Sequence, residues 1–87
     1  MGNFITDSVR NSNEFEPDFV FLTGGAIRLT YDIEIGPITL QDMMKCFPFG
    51  DTIVNVECSG HCVLDILENS VSTIADGDGR FMQVSGL

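Results

Sequence analysis

The sequence predicts an α+β fold, in which helices pack on a mixed sheet as mixed α/β layers of a partial domain. Three observations predict it. Phe19-Val20-Phe21-Leu22 is a short apolar run closed by Gly24-Gly25, the pattern of a buried strand entering a tight turn. Thr52 to Cys58 is rich in β-branched residues and reads as a second strand. Between and after them, capping signals and apolar stripes at helical spacing mark helices.

In order, residues 2–12 read as a helix, with Phe4, Ile5 and Val9 on one face, and Asn11-Ser12-Asn13 supplies stop chemistry. Glu14 to Asp18 is acidic and contains Pro17, so it reads as an exposed linker into the strand Phe19–Leu22. Leu29 to Gly36 alternates apolar and polar residues and fits either a half-buried strand or an extended loop. Thr39 is an N-cap with Asp42 three residues on, and Ile38 and Met43 take the two positions of a hydrophobic staple. That helix must stop near Phe47, because Pro48 restricts the residue before it. Ser59 caps a helix over about 60–73, whose stripe of Val63, Leu64, Leu67, Val71 and Ile74 predicts one face packed on a sheet. Ala75 to Gly79 is a turn, and Arg80 to Val84 is a final strand.

At 87 residues and 44% hydrophobic content the chain is one domain or part of one, and its composition is not that of a disordered chain. Its net charge of −9 rests on 13 acidic against four basic residues, and Arg10, Arg28, Lys45 and Arg80 form no cluster. Binding to a nucleic-acid backbone is thereby disfavoured. No apolar run is long enough to span a bilayer, and the first residues lack the basic start and apolar core of a secretory leader. Met1-Gly2-Asn3-Phe4-Ile5-Thr6 fits the loose myristoylation pattern and equally well begins a helix.

Two places carry chemistry. Gly24-Gly25 after a strand predicts bare backbone N–H groups at the surface, and Arg28 adds a planar cation with paired donors. Together they suit an anionic oxygen such as a phosphate, although the same residues also describe a tight turn with a solvated arginine. Phe49, held between Pro48 and Gly50, is either a cap on the core or an exposed face for stacking on a flat ring. Cys58, His61 and Cys62 have neither zinc-finger nor CxxC spacing, and one histidine with scattered carboxylates assembles no hydrolytic centre.

Three motifs in fixed order then resemble the C-terminal domain of the 5'-nucleotidase family. They are Leu22-Thr23-Gly24-Gly25-Ala26-Ile27-Arg28, then Ile38-Thr39 through Phe47-Pro48-Phe49-Gly50-Asp51-Thr52, then Gly79-Arg80-Phe81-Met82-Gln83-Val84-Ser85-Gly86-Leu87. Gly2-Asn3-Phe4-Ile5-Thr6-Asp7 and the Ser59–Ser72 helix also resemble segments of that domain. The resemblance implies a nucleotide or nucleoside substrate bound at Arg28, at Phe49 and around Thr23, Gly24 and Gly25, where Arg28 contacts its anionic part and Phe49 stacks on its base. It implies hydrolysis of nucleoside monophosphates by two divalent metal ions on a separate N-terminal metallophosphatase domain. This chain carries neither cofactor nor catalytic residue, so alone it is expected to be inactive. Thr23 stands where the family usually has asparagine, replacing an amide by one hydroxyl. The family's further aromatic and aspartate fall beyond Leu87. A UDP-sugar or cyclic-nucleotide hydrolase, or a stand-alone nucleotide-binding module, are the alternatives. The resemblance also implies an extracellular, cell-surface or periplasmic protein. A last strand without neighbours would pair with another copy or swap between copies.

Overall fold

The computed structural model describes residues 1–12, 14 and 16–87. Asn13 of the expected stop signal and Phe15 of the expected linker lie outside the described residues. The architecture is α+β. Helix α1 (Gly2–Arg10), strand β1 (Val20–Thr23), helix α2 (Leu40–Cys46), helix α3 (Gly60–Val71) and strand β2 (Met82–Ser85) follow in that order. Short 3₁₀ turns sit at Gly24–Ala26 and Ile74–Asp76.

The two strands pair antiparallel, Val20 opposite Ser85 through Thr23 opposite Met82. The final strand therefore has a neighbour in β1, correcting the expectation that it stands alone. Helix α1 packs across both strands. Its inward position is Thr6, fully buried, whose hydroxyl donates to the carbonyls of Gly2 and Asn3. Phe4, expected on the packed face, is exposed. At the next residue, the buried Ser85 hydroxyl donates to the Asp7 carboxylate at 2.5 Å and ties α1 to β2.

Helix α2 forms as the capping signals dictate. The backbone N–H of Asp42 donates to the Thr39 hydroxyl at 3.2 Å, and the Asp42 carboxylate accepts from the Thr39 N–H at 2.9 Å. Phe47 ends the helix, directly before Pro48. Helix α3 is capped by Ser59, whose Oγ accepts from the Cys62 N–H at 3.3 Å. It docks through the buried Ser70, whose hydroxyl accepts from the Met82 N–H at 3.0 Å.

Two expectations are corrected, and one left open is settled. Residues 52–58 form no strand: they run without a ladder partner, because strand propensity is realised only when a neighbouring edge supplies hydrogen bonds and side-chain contacts. The α3 stripe is only partly packed, with Val63 buried and Leu64, Val71 and Ile74 exposed. The other buried position of α3 is taken by the small side chain of Ser70. Leu29 to Gly36, left open between strand and loop, is a loop.

Candidate functional site

Thr23 ends β1, and the chain turns at once through Gly24 and Gly25. The turn is pinned from the other side of the sheet. The Gly24 N–H donates to the Phe81 carbonyl at 2.7 Å and the Gly25 N–H to the Gly79 carbonyl at 2.8 Å. Those donors are engaged within the fold, which corrects the expectation of bare N–H groups facing an anion. The glycines have a different physical reason. A Cβ on Gly79 would lie 2.9 Å from the Gly25 Cα, and one on Gly24 would lie 3.0 Å from the Phe81 carbonyl oxygen. Two backbone segments cross here at a distance that excludes side chains. The sequence signal for this crossing was the second glycine pattern, Gly77-Asp78-Gly79, whose pairing with Gly24-Gly25 no local rule reveals.

Beyond the turn, the Arg28 N–H donates to the Cys46 carbonyl at 2.9 Å. Cys46 is the last residue of α2 and is 1% exposed, so it is a fixed point, and burial pushes its thiol pKa up. This one bond lays the Arg28 segment beside the Phe47-Pro48-Phe49-Gly50 turn. Gly50 has φ 65°, a conformation that glycine adopts without a Cβ penalty, and it turns the chain sharply after Phe49. The result is a stacked pair: the Arg28 guanidinium carbon lies 5.2 Å from the centroid of the Phe49 ring. Both residues are exposed, Phe49 to 56%. A guanidinium over an aromatic face is attractive, and stacking leaves the edge donors of the arginine free for an anion. Phe49 also lines a mostly apolar groove of about 730 Å³ enclosed by α1, β1 and residues 51–56.

Of the residues singled out in the sequence, the fold thus brings Arg28 and Phe49 together. It places Thr23 exposed at the strand end, with no side-chain hydrogen bond to the turn it precedes, and it uses Gly24 and Gly25 as the tight crossing. A second cation–aromatic pair, Lys45 over Tyr31 at 5.6 Å, was not foreseen, since the two are far apart in sequence. His61 faces Asp65 along α3 at 3.9 Å. Among the described residues no three His, Cys, Asp or Glu side chains are grouped to hold a metal ion.

The family model described as "5'-nucleotidase, C-terminal domain" matches residues 1–87. This chain belongs to the 5'-nucleotidase C-terminal domain family. It is 34% identical over 89 residues to the trifunctional nucleotide phosphoesterase protein YfkN of Bacillus subtilis. It is 33% identical over 96 residues to the 5'-nucleotidase of Mus musculus, and 32% identical over 97 residues to the snake venom 5'-nucleotidase of Crotalus adamanteus. All of this chain is covered in each case, but only 6%, 17% and 16% of the respective relatives. No solved structure matches the chain. No described helix is long and apolar enough to cross a membrane.

Proposed function

We propose that this member of the 5'-nucleotidase C-terminal domain family is the substrate-binding part of a longer hydrolase that releases phosphate from nucleoside 5'-monophosphates. The observation that carries the reading is the Arg28–Phe49 stack, in which one exposed aromatic face and one exposed planar cation lie within a single side-chain contact. A nucleotide presents the matching pair, a flat base and an anion. The base stacks on Phe49 and the anionic part is held by the guanidinium donors of Arg28. Thr23 adds a hydroxyl at the end of β1, while Gly24 and Gly25 set the backbone path that delivers Arg28.

In this reading the bond-breaking chemistry belongs to an N-terminal metallophosphatase domain with two divalent metal ions. Among the described residues no side chains are grouped to hold such ions, and in this reading the part of this chain is to bind and orient. The venom relatives support an extracellular or surface setting. A second reading keeps the site and widens the substrate to other nucleotide phosphoesters. It is favoured by Thr23 in place of the amide the family usually has there, and by the trifunctional phosphoesterase among the relatives.

The test is kinetic, in the complete hydrolase. A stacked base is worth about 1–3 kcal/mol, so Phe49→Ala should lower kcat/KM for AMP roughly 5–150-fold. Unchanged kinetics would remove Phe49 from the site. A panel of AMP, UDP-glucose and 2',3'-cyclic AMP separates the two substrate readings. The purified 87-residue chain should release no phosphate from AMP with divalent metal added, and release at an enzymatic rate contradicts the assignment of chemistry elsewhere.

A further inference from the structure

The second cation–aromatic pair has no part in the nucleotide reading, yet it stands beside the first. Arg28 and Tyr31 lie three residues apart on a stretch, residues 27–38, that forms neither helix nor strand. Lys45 and Cys46 are the last two residues of α2. The stretch is tied to that helix end twice. The Arg28 N–H donates to the Cys46 carbonyl at 2.9 Å, and the Lys45 ammonium stands over the Tyr31 ring, 5.6 Å from its centroid. Such a contact is within the reach of a cation–aromatic attraction. Lys45 also suits its place in the last turn of a helix, as any cation there does, but that role makes no use of Tyr31.

One hydrogen bond fixes a point and leaves a loop free to turn about it. A second tie three residues on fixes the direction of the loop as well. That direction decides where the Arg28 side chain goes, and its guanidinium carbon lies 5.2 Å from the centroid of the Phe49 ring. Phe49 leaves the same helix end, two residues past the C-cap Phe47. Both halves of the stack thus hang from the last turn of α2, Phe49 through the chain itself and Arg28 through the two ties. We propose that Lys45 and Tyr31 are positioning residues for Arg28: their contact orients the loop so that the guanidinium stays over Phe49 and faces the anionic part of a nucleotide. The last step rests on the nucleotide reading, whereas the placement of Arg28 needs no ligand.

The test is an NMR comparison of variants of this chain, without ligand and then with AMP or adenosine. Dispersed α1 resonances serve as the check on folding, and Tyr31 and Lys45 are both exposed, so their replacement leaves the buried residues untouched. Without ligand, the ring current of Phe49 displaces the Arg28 side-chain protons, and Phe49→Leu gives their unstacked positions. Tyr31→Leu and Lys45→Met should each move those protons toward the unstacked positions, while Tyr31→Phe and Lys45→Arg, which keep a ring under a cation, should hold them in place. With ligand, Tyr31→Leu and Lys45→Met should each weaken AMP binding about 2–5-fold, the range of one exposed cation–aromatic contact, and leave adenosine binding unchanged. The double variant should bind AMP no more weakly than Lys45→Met alone, because both changes remove one contact. Arg28 protons unmoved by Tyr31→Leu overturn the proposal. Equal losses for AMP and adenosine overturn it too, since they mark a merely structural contact. So does a loss of AMP binding in Lys45→Met that Tyr31→Leu does not share, which makes Lys45 a charge acting at a distance. Where the unaltered chain binds no AMP, the nucleotide reading fails, and the ligand-free shifts alone uphold or overturn the placement of Arg28 by Lys45 and Tyr31.

Discussion

The Arg28 guanidinium reaches the Phe49 ring because its own backbone N–H is tied to the Cys46 carbonyl, three residues before that ring. The two site residues are therefore positioned by one buried anchor and one proline–glycine turn. The proposed site uses both the arginine's planar fork and its position over the Phe49 ring, so Arg28→Lys is not conservative there. Lysine at this position should bind AMP more weakly than arginine, and Arg28→Ala should cost about 10-fold or more, as loss of a charged hydrogen bond does. Calorimetric titration with AMP and with adenosine separates the terms: Arg28→Ala should affect AMP far more than adenosine, and Phe49→Ala should affect both. The glycine crossing makes a second residue-scale prediction. Gly79→Ala forces a Cβ to 2.9 Å from the Gly25 Cα, a backbone contact that cannot swing away. Overpacking of this kind costs about 1–3 kcal/mol, and thermal unfolding should show a Tm lowered by roughly 4–20 °C. An unchanged Tm would mean that the crossing is looser than described.

Helix α2 shows how far local sequence rules reach. Thr39, Asp42 and Pro48 fix both of its ends, and both ends form where those residues place them. Thr39→Ala should cost about 1 kcal/mol of stability, measured by chemical denaturation. The hydrogen bond from the Thr39 hydroxyl, then that from the Thr39 N–H, holds the Asp42 carboxyl below its ordinary value of 3.8. A group whose folded pKa is depressed stabilises the fold above the unfolded pKa and loses that contribution as pH falls through the folded one. The capping contribution should therefore be complete above about pH 4–5 and fade in stronger acid. Asp42→Asn should flatten that acid limb in a pH series of denaturation curves, and an acid limb unchanged by the substitution would contradict the cap's role. By contrast, Thr52 to Cys58 has as strong a strand signal as any stretch here and forms none. Its partner edge is a matter of tertiary context, which residue pattern does not encode. The same limit explains α3. Its apolar stripe was legible, but which part of the stripe is covered depends on what lies opposite. Ser70 and Val63 meet the rest of the molecule and Leu64 does not.

At the scale of the whole molecule, the buried set among the described residues is small and largely polar: Thr6, Ser70 and Ser85 with Cys46 and Val63. The radius of gyration is 14.0 Å, against about 12 Å for a compact domain of this length. A two-stranded sheet with one helix across it has little enclosed apolar area. The chain should accordingly bind a hydrophobic-surface dye such as ANS, and Leu64→Glu should reduce that fluorescence. Dye binding no greater than that of a closed globular protein would contradict the exposed α3 face. At this scale the family motifs were the most legible feature, since they assigned Arg28 and Phe49 to one site. The opposition of Gly24-Gly25 to Gly79-Arg80-Phe81 was not legible, because it depends on strand register over more than fifty residues of intervening chain.

The central claim is that Arg28 and Phe49 form one nucleotide site. Its most direct test is an NMR titration of the 87-residue chain with AMP, following the Arg28 Nε–H and the Phe49 ring protons. Dispersed α1 and sheet resonances in the same spectra serve as the check on folding. The account predicts that AMP shifts both signals with one saturation curve, that adenosine shifts the ring alone, and that inorganic phosphate acts on the arginine alone. A folded chain in which millimolar AMP moves neither signal, or moves them with unrelated curves, contradicts it.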